Sequence, residues 1–314
     1  MKSWIVLVAL LAAGCASSSP TSPTPPPVVP MPPPAYTVSG TVTATNGGQA
    51  LSGLAVTLNG LAATTNGSGG FVYSMTSGTT SRLTLDGAGI VPRSLTLNVS
   101  NARTVAIDAI GLSGGFDLGF YRAFVRNGFE APGTLQPIRH LTQAPRIYVR
   151  TIDDAGSAID AVTLDTVSAA MINTAGVLTG RYGLAGLERG TESREGIAGW
   201  LTVKWPTTTD ACGRSQVGVD GGWIELNYKT PNCGCGASKM RPRTAKHELG
   251  HALGFWHTGD ARDLMSGLSV NECDHTPSAR EIAHAAIAYA RPVGNTDPDT
   301  DPSGVVNLAP MHVR

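Results

Sequence analysis

The stretch HELGHALGFWH, residues 247–257, places three histidines and one glutamate within eleven residues. If this stretch begins as a helix, His247 and His251 stand four residues apart and project from the same face, one turn above the other. Gly254 follows three residues later, where a glycine can end a helix in a left-handed conformation and turn His257 back toward the same point. The spacing therefore predicts three imidazole ligands around one ion.

This ligand set is typical of a catalytic zinc site. Three neutral imidazoles leave one coordination position to water, whereas structural zinc sites fill all four positions with protein. Glu248 adjoins the first ligand, near enough to take a proton from that water as it attacks a carbonyl. Unrelated histidines on a surface helix are one alternative, but the pattern arises by chance in on the order of one chain in ten thousand. A degenerate site without activity is the other.

The arrangement HExxHxxGxxH resembles the signature of the metzincin zinc metallopeptidases, and HELGHALGF is most similar to their matrixin branch. The second signature of that family is a methionine in a tight turn beneath the metal, which GDARDLMSG supplies as Met265. The resemblance implies that Met265 forms an apolar floor and is not a ligand. Some branches add a tyrosine ligand two residues later, where this chain has Gly267. We therefore expect one zinc ion with three protein ligands and a water.

Composition narrows the remaining function classes. The chain has 314 residues, which leaves room for two domains, and its formal net charge is zero with 15% charged residues. Without a basic run, nothing points to nucleic acid or to an anionic membrane surface. The 38 glycines and 21 prolines favour loops, turns and β structure over a helical bundle. We expect a monomer whose partner is a peptide or protein substrate.

Residues 1–15 resemble a bacterial lipoprotein signal peptide. One lysine precedes an apolar run too short to span a bilayer permanently, and small residues precede Cys15. The resemblance implies cleavage before Cys15 and lipidation of its thiol, and Ala16 beside it favours the outer membrane. We therefore expect a protein anchored in a bacterial cell envelope; an ordinary secretory peptide and a secreted protein are the alternative. The proline-rich residues 16–35 predict an extended tether.

Residues 36–112 consist of short alternating runs separated by turn residues such as Asn-Gly and Gly-Gly. Period-two alternation rich in Thr and Val predicts a small antiparallel β-sandwich. The runs SGTV, LSGLAVTL and TTNGSGGF resemble the carboxypeptidase-regulatory, transthyretin-like module. Because this segment contains no His, Cys or paired acid, we interpret it as a spacer or an accessory binding module.

After a connector at 113–144, residues 145–292 alternate between strand-like and helix-like segments. A capping box formed by Ser278 and Glu281 would begin the last helix, and Pro292 would end it. The metzincin resemblance implies a mixed sheet packed on helices. The predicted fold class is therefore multidomain, with a small antiparallel β-sandwich followed by an α+β metzincin-like zinc peptidase domain.

The acidic stretch NTDPDTDPSG lies in the last segment, residues 293–314. Asp297, Asp299 and Asp301 alternate as in calcium-binding repeats, which need alternate oxygen ligands. The closing bidentate acid of such a repeat is missing. We therefore predict a disordered acidic tail, with a bound Ca²⁺ ion as the alternative.

A substrate-binding strand is expected before the metal helix. In the metzincin family the strand in that place lies at the edge of the sheet and pairs with the bound peptide. An exposed edge offers free backbone groups that an extended peptide satisfies as an added strand. The predicted substrate strand lies within GGWIELNY and comprises Gly222, Trp223, Ile224, Glu225 and Leu226. A buried interior strand is the alternative.

Four cysteines remain besides Cys15, namely Cys212, Cys233, Cys235 and Cys273. An even number in a chain exported to an oxidising compartment predicts two disulfides. Because Cys233 and Cys235 are one residue apart, each is expected to bond elsewhere. This leaves two connectivities, which join the loop before the metal helix to Cys212 and to the segment beyond the methionine turn. A second zinc held by these thiols is the alternative, although CxC is not the usual CxxC spacing.

Together these features predict a surface-anchored zinc endopeptidase. Zinc on the three histidines would polarise the scissile carbonyl, and Glu248 would accept the proton of the water and pass it to the leaving amine. The alternative function is a non-catalytic surface adhesion or binding protein that keeps the fold. No residue of the motif is missing, so the sequence favours the enzyme. Substrate choice is expected to depend on loops near 266–277.

Overall fold

The computed structural model describes residues 35–313, apart from 77, 79, 181 and 209. The predicted signal peptide, the lipidation site Cys15 and the tether up to residue 34 lie outside the described residues. From Ala35 onward the described residues form one compact unit with three sheets and four α-helices.

Two sheets built from residues 36–109 form a small β-sandwich. The strands are β1 (Tyr36–Ala44), β2 (Ala55–Leu58), β3 (Leu61–Thr64), β4 (Gly70–Met75), β5 (Thr80–Asp86), β6 (Arg93–Asn98) and β7 (Arg103–Ala109). One sheet has the order β4-β1-β7 and the other the order β3-β2-β5-β6. Inward-facing residues of both sheets, among them Val42, Val56 and Leu83, are buried in one shared core. This one-sided burial explains the alternation in the sequence.

One strand pair departs from the antiparallel expectation. β1 pairs antiparallel with β4 but parallel with β7, from Val38 opposite Arg103 to Ala44 opposite Ala109. Parallel neighbours need a long crossover connection, and the strands β2 to β6 supply it. Side chains alternate with period two in both kinds of pairing, so the sequence pattern does not distinguish them.

A mixed six-stranded sheet and four helices make up the rest of the unit. The helices are α1 (Leu118–Arg126), α2 (Ala161–Leu178), α3 (Pro242–Ala252) and α4 (Ala279–Tyr289), with a 3₁₀ turn at Pro231–Cys233. The strands are β8 (Arg146–Arg150), β9 (Gly186–Gly190), β10 (Trp200–Lys204), β11 (Gly213–Gln216), β12 (Trp223–Leu226) and β13 (His312–Val313). Their order is β13-β11-β12-β10-β8-β9, in which β11 pairs antiparallel with both neighbours and the other pairs are parallel.

The helix α2 packs on α3, and α3 in turn packs on β11 and β12. Among the described residues, α2 is the one helix long and apolar enough to cross a bilayer. Half of it is buried inside the protein, however, with Val167, Met171 and Leu178 fully enclosed. Burial of this extent is typical of a core helix.

The predicted connector at 113–144 contains α1 and belongs to this core. Asp117 caps the helix by accepting a hydrogen bond from a backbone N–H of the first turn. Tyr121 and Phe124 are fully buried, and the Phe124 ring stacks on Phe255 with 4.4 Å between the centroids. The connector therefore packs directly against the HELGHALGFWH segment.

The segment 293–313, predicted to be a disordered acidic tail, is instead held by arginines. Each aspartate of the calcium-like repeat faces a different guanidinium, in the pairs Asp297 with Arg122, Asp299 with Arg291, and Asp301 with Arg93. The side chains of Asp299 and Arg291 are fully buried, with 2.7 Å between Oδ1 and Nε. Arginines rather than Ca²⁺ thus neutralise these carboxylates, and their burial orders the segment.

The same arginines join the last segment to the sandwich. Asp108 on β7 accepts hydrogen bonds from both Arg93 and Arg291. Along the backbone, Ser94 N–H donates to the Asp299 carbonyl at 2.9 Å, and the Ser94 carbonyl accepts from a backbone N–H of the last segment at 2.8 Å. The sandwich and the mixed sheet are therefore connected through residues near the end of the chain.

We predict that Asp299→Asn lowers the free energy of unfolding by about 3–5 kcal/mol, because it removes the fully buried carboxylate beside Arg291 and leaves this buried charge only the partly exposed Asp108. Urea unfolding of the variant and the parent measures the difference. Asp165→Asn is the matched control, since it breaks an exposed ion pair with Arg189 and should cost less than about 1 kcal/mol. Equal losses of unfolding free energy in the two variants would contradict the assignment of Asp299–Arg291 as a stabilising buried ion pair.

Candidate metal centre

The helix α3 carries the first two histidines of the motif. It begins at Pro242, whose fixed backbone angle suits the first turn of a helix. His247 and His251 lie one turn apart on it. Just beyond the helix, Gly254 has a φ of 109°, and a Cβ there would lie 1.7 Å from the Arg139 carbonyl oxygen. Only glycine therefore allows the chain to turn back at this point.

His247, His251 and His257 come together as the spacing predicts. Their Nε2 atoms lie 3.1 Å apart in every pair. Among the described residues, this is the one group of three or more His, Cys, Asp or Glu side chains arranged closely enough to hold a metal ion. The helix and the glycine turn therefore place the three rings near one another.

An oxygen acceptor fixes each ring. In chain order, the Nδ1–H groups of the three histidines donate to the Leu264 carbonyl at 2.8 Å, to the Phe255 carbonyl at 2.8 Å and to the carboxylate of Glu130. Because carbonyl and carboxylate oxygens only accept, each Nδ1 carries the ring proton. Each Nε2 consequently keeps its lone pair, and the three lone pairs converge.

Burial keeps the first two imidazoles neutral. Desolvation lowers the pKa of His247 to about 3 and holds the pKa of His251 well below its ordinary value. The Nε2 lone pairs of these two rings therefore face each other at 3.1 Å, an arrangement that a bound cation stabilises. Zinc–imidazole bonds of about 2.0–2.1 Å can reach all three nitrogens at this spacing. The residues therefore fit a zinc ion.

Glu248 lies beside the histidines with a buried carboxyl. Ser215 on β11 donates its hydroxyl toward Glu248, with Oγ 3.1 Å from Oε2 and 2.8 Å from the backbone carbonyl. Burial raises the pKa of Glu248 to about 8. A positive charge held by the histidines would favour its ionised form. Proton uptake by this carboxyl is therefore sensitive to the cation next to it.

β11 also leaves space for this carboxyl. A Cβ on Gly213 would lie 2.3 Å from Glu248 Oε1, so the position requires glycine. No local pattern marks Gly213 or Ser215 as site residues, because 33 residues separate Ser215 from Glu248. Their role becomes visible only once β11 is paired beside α3.

The predicted methionine turn lies against α3. Met265 is fully buried, and a Cβ on Gly250 would lie 2.2 Å from its sulfur. The Met265 carbonyl accepts a hydrogen bond from Thr258 N–H at 2.7 Å, which joins the turn to the segment after His257. The thioether thus packs on the helix backbone between the glutamate and the second histidine.

A carboxylate from α4 fixes the methionine turn. Glu281 Oε1 accepts from Met265 N–H at 2.8 Å, and Oε2 accepts from Leu264 N–H at 3.1 Å. Glu281 also completes the predicted capping box with Ser278, which is confirmed. The Leu264 carbonyl holds His247, so Glu281 supports the first histidine through one residue of the turn.

The connector supplies two residues that the sequence did not reveal. Glu130 contacts His257 from 127 residues away, and its side chain is 40% exposed. Beside it, Phe129 lies against Gly267, where a Cβ would be 2.9 Å from the ring. A tyrosine at 267 would clash with this ring, in agreement with the expected three protein ligands. A lone glutamate in an aromatic-rich connector carries no spacing signal.

The predicted substrate strand does not lie at the edge of the sheet. The segment Gly222–Leu226 forms β12 and the residue before it, and β12 lies between β10 and β11. Ile224 and Leu226 are fully buried, as in an interior strand. β11 returns antiparallel on the outer side of β12, and the short strand β13 pairs with the far side of β11. The strand order depends on the antiparallel return of β11, which the alternation of residues within a single strand does not predict.

The four remaining cysteines form the two predicted disulfides, Cys212–Cys233 and Cys235–Cys273. This is one of the two expected connectivities, and it leaves no thiol of this group for a second zinc. The first disulfide fastens the start of β11, beside Gly213, to the 3₁₀ turn. The second fastens the loop after the methionine turn to the segment before α3.

Comparisons with known proteins give distant likenesses. No protein family and no curated protein matches the chain. The structure of metalloproteinase-II from Bacteroides fragilis is similar over 79% of this chain and 84% of that chain, with 9% identity and a TM-score of 0.35. A DUF3823 family protein from Parabacteroides merdae is similar over 25% of this chain and 47% of that chain, with 20% identity and a TM-score of 0.22.

A Bacteroides fragilis protein of unknown function, described as membrane-associated, is similar over 26% of this chain and 29% of that chain, with 21% identity and a TM-score of 0.22. This chain thus spans less than half the length of the latter two proteins. At these TM-scores the likenesses assign neither family nor activity. The chemistry of the histidine cluster therefore carries the functional argument.

We predict one zinc ion per chain in the purified protein, and a loss of zinc affinity in two variants. His251→Ala removes one of three ligands and should weaken binding by more than about 100-fold, whereas Glu130→Ala removes only the acceptor that orients His257 and should weaken it by about 10–100-fold. Elemental analysis gives the stoichiometry, and competition with a chelator gives the affinity.

The matched controls are His275→Ala and Glu272→Ala, which alter a histidine–carboxylate pair away from the three rings. Both should bind zinc like the parent. Unchanged affinity in His251→Ala would rule out the three-histidine centre as the zinc site, and two zinc ions per chain would contradict the predicted stoichiometry.

Proposed function

We propose that the protein is a zinc-dependent endopeptidase of the metzincin type. The observation that carries this proposal is the convergence of three Nε2 atoms, on the residues next to and near the buried carboxyl of Glu248. Three protein ligands leave a coordination position for water, as catalytic zinc sites require. The HExxHxxGxxH spacing and the buried methionine turn support the same assignment.

The residues around the centre have distinct roles in this proposal. Bound zinc supplies Lewis-acid chemistry, which polarises the scissile carbonyl and makes a water more acidic. Glu248 accepts a proton from the attacking water and delivers it to the nitrogen of the leaving amine. Ser215 keeps the Glu248 carboxyl in position, and Gly213 leaves the space that this carboxyl occupies. Leu264, on the methionine turn, keeps the first imidazole in its orientation.

A non-catalytic adhesion protein would not need this set of groups. The described residues retain every side chain that the reaction requires, including the glutamate and its serine partner. We therefore propose the enzyme and not the binding protein.

The deciding variant is Glu248→Gln, which keeps the shape of the side chain but cannot accept the proton. We expect it to keep zinc and the fold while kcat/KM for an unfolded protein such as casein falls by about 10²–10⁴-fold. Glu195→Gln is the control, because Glu195 forms an exposed contact with Lys204 away from the centre. A zinc-loaded Glu248→Gln protein that cleaves casein like the parent would refute the proposed mechanism.

We also propose that the protein is lipid-anchored in a bacterial cell envelope through Cys15. The two disulfides fit a chain that matures in an oxidising compartment outside the cytoplasm. The resemblance of residues 1–15 to a lipoprotein signal then supplies the anchor, and the proline-rich segment supplies the spacer. We propose further that the protein lies at the outer membrane. We also propose that it acts on a peptide substrate as a monomer.

Cys15→Ser should release the protein from membranes or leave its signal peptide uncleaved, because no thiol remains to carry the acyl chain. Fractionation and N-terminal analysis of the parent and the variant measure this. The control is Ser18→Ala, which should leave the protein in the membrane fraction. Recovery of the parent in the soluble medium, with a mature N-terminus other than residue 15, would contradict the anchor and leave the peptidase proposal intact.

A further inference from the structure

The outer edge of β11 lies alongside the candidate metal centre. Ser215 and Gly213 both contact the Glu248 carboxyl from this strand. The inner edge of β11 is paired with β12, so the outer edge is the one that can accept another strand. A peptide added there would run next to the group that is proposed to move the proton.

Residues of the same chain already cover this edge. The strand β13 pairs antiparallel with β11, with Val313 opposite Ser215 and His312 opposite Gln216. One residue earlier, the Met311 carbonyl accepts a hydrogen bond from Val217 N–H at 2.8 Å. The segment Met311–Val313 therefore takes up the position of an added strand.

The register gives this segment a direction. It passes from Met311 beside Val217 to Val313 opposite Ser215. Because β11 begins at Gly213, each step along the segment approaches the end of β11 that contacts Glu248. An extended substrate in the same register would be carried toward the proposed reacting groups.

One aliphatic side chain anchors the segment. Val313 is 9% exposed and packs in a small cluster with Val217 and Trp256, against which Met311 is partly buried. Trp256 stands directly before His257, and the residue before it holds the second histidine. The cluster is thus an apolar recess beside the metal-binding turn, filled by an aliphatic residue of an extended chain.

In the proposed peptidase an extended substrate would lie along the outer edge of β11, and we propose that Met311–Val313 occupies this edge as an internal competitor. The preferred substrate is an extended chain with an aliphatic residue at the position of Val313. This inference rests on the proposed peptidase function. A competitor with only two ladder residues is short, so a longer unfolded chain can displace it.

The first experiment releases the segment. Val313→Asp places a charge in the apolar recess and should open the edge, raising kcat/KM for unfolded casein by about tenfold because more of the protein is competent to bind. Val305→Asp is the matched control, since it makes the same change in the same segment at a side chain that is 97% exposed. It should behave like the parent.

The second experiment measures binding without catalysis. In zinc-loaded Glu248→Gln protein, a fluorescent peptide with the sequence VNLAPMHV, residues 306–313, should bind when Val313→Asp has opened the edge. It should bind at least about tenfold more weakly when the native segment is in place. The same peptide with aspartate in place of its last valine should not bind to either protein.

A locked variant tests the opposite direction if Val313→Asp fails to fold. Gln216 and His312 face each other next to a hydrogen-bonded pair, at a site where Cα atoms are about 4.5 Å apart, within the range of a disulfide. Gln216→Cys with His312→Cys should slow casein cleavage when oxidised and restore it on reduction, compared with parent protein under the same reductant.

The outcomes separate the two proposals. Casein cleavage that is equal in the released, locked and parent proteins would overturn the internal competitor and leave the peptidase standing. Peptide binding to the opened edge without casein cleavage by any of the proteins would overturn the peptidase and leave the binding edge standing. A peptide that binds the parent and the opened variant equally would overturn the assignment of Met311–Val313 to that edge.

Discussion

Each imidazole of the candidate metal centre depends on an acceptor from a different part of the chain. The Leu264 carbonyl belongs to the methionine turn, the Phe255 carbonyl to the turn after α3, and Glu130 to the connector. A ring without its acceptor could rotate, and its Nε2 lone pair would then leave the common point. The centre therefore forms only when three segments are folded around α3, although its ligands lie within eleven residues of sequence.

Burial acts on the two kinds of ionisable group in a way that favours a bound cation. It lowers the pKa of His247 to about 3 and raises the pKa of Glu248 to about 8, because each group loses solvation of its charged form. The result is a buried recess in which three lone pairs converge near a carboxyl that is protonated more readily than usual. A divalent cation satisfies the lone pairs and stabilises the carboxylate at the same time.

Local spacing was enough to predict the parts of the site that lie on one helix and its turn. One helical turn and one glycine, which are both local features, bring His247, His251 and His257 near one another. Glu130 and Ser215 could not be found in this way, because they reach the site from 127 and 33 residues away. The position of the predicted substrate strand failed for a related reason, since a local pattern identifies a strand but not its neighbours in the sheet.

The acidic pattern of residues 293–313 predicted a disordered tail because the arginines that pair with these aspartates are distant in sequence. Alternating aspartates indicate a solvated end of the chain, yet Asp301 meets Arg93 from 208 residues away and is drawn onto the sandwich. From this ion pair the chain continues to the edge of β11, where Val313 fills the apolar recess. The sandwich is therefore more than a spacer: it fixes the start of the very segment whose end lies beside the candidate metal centre.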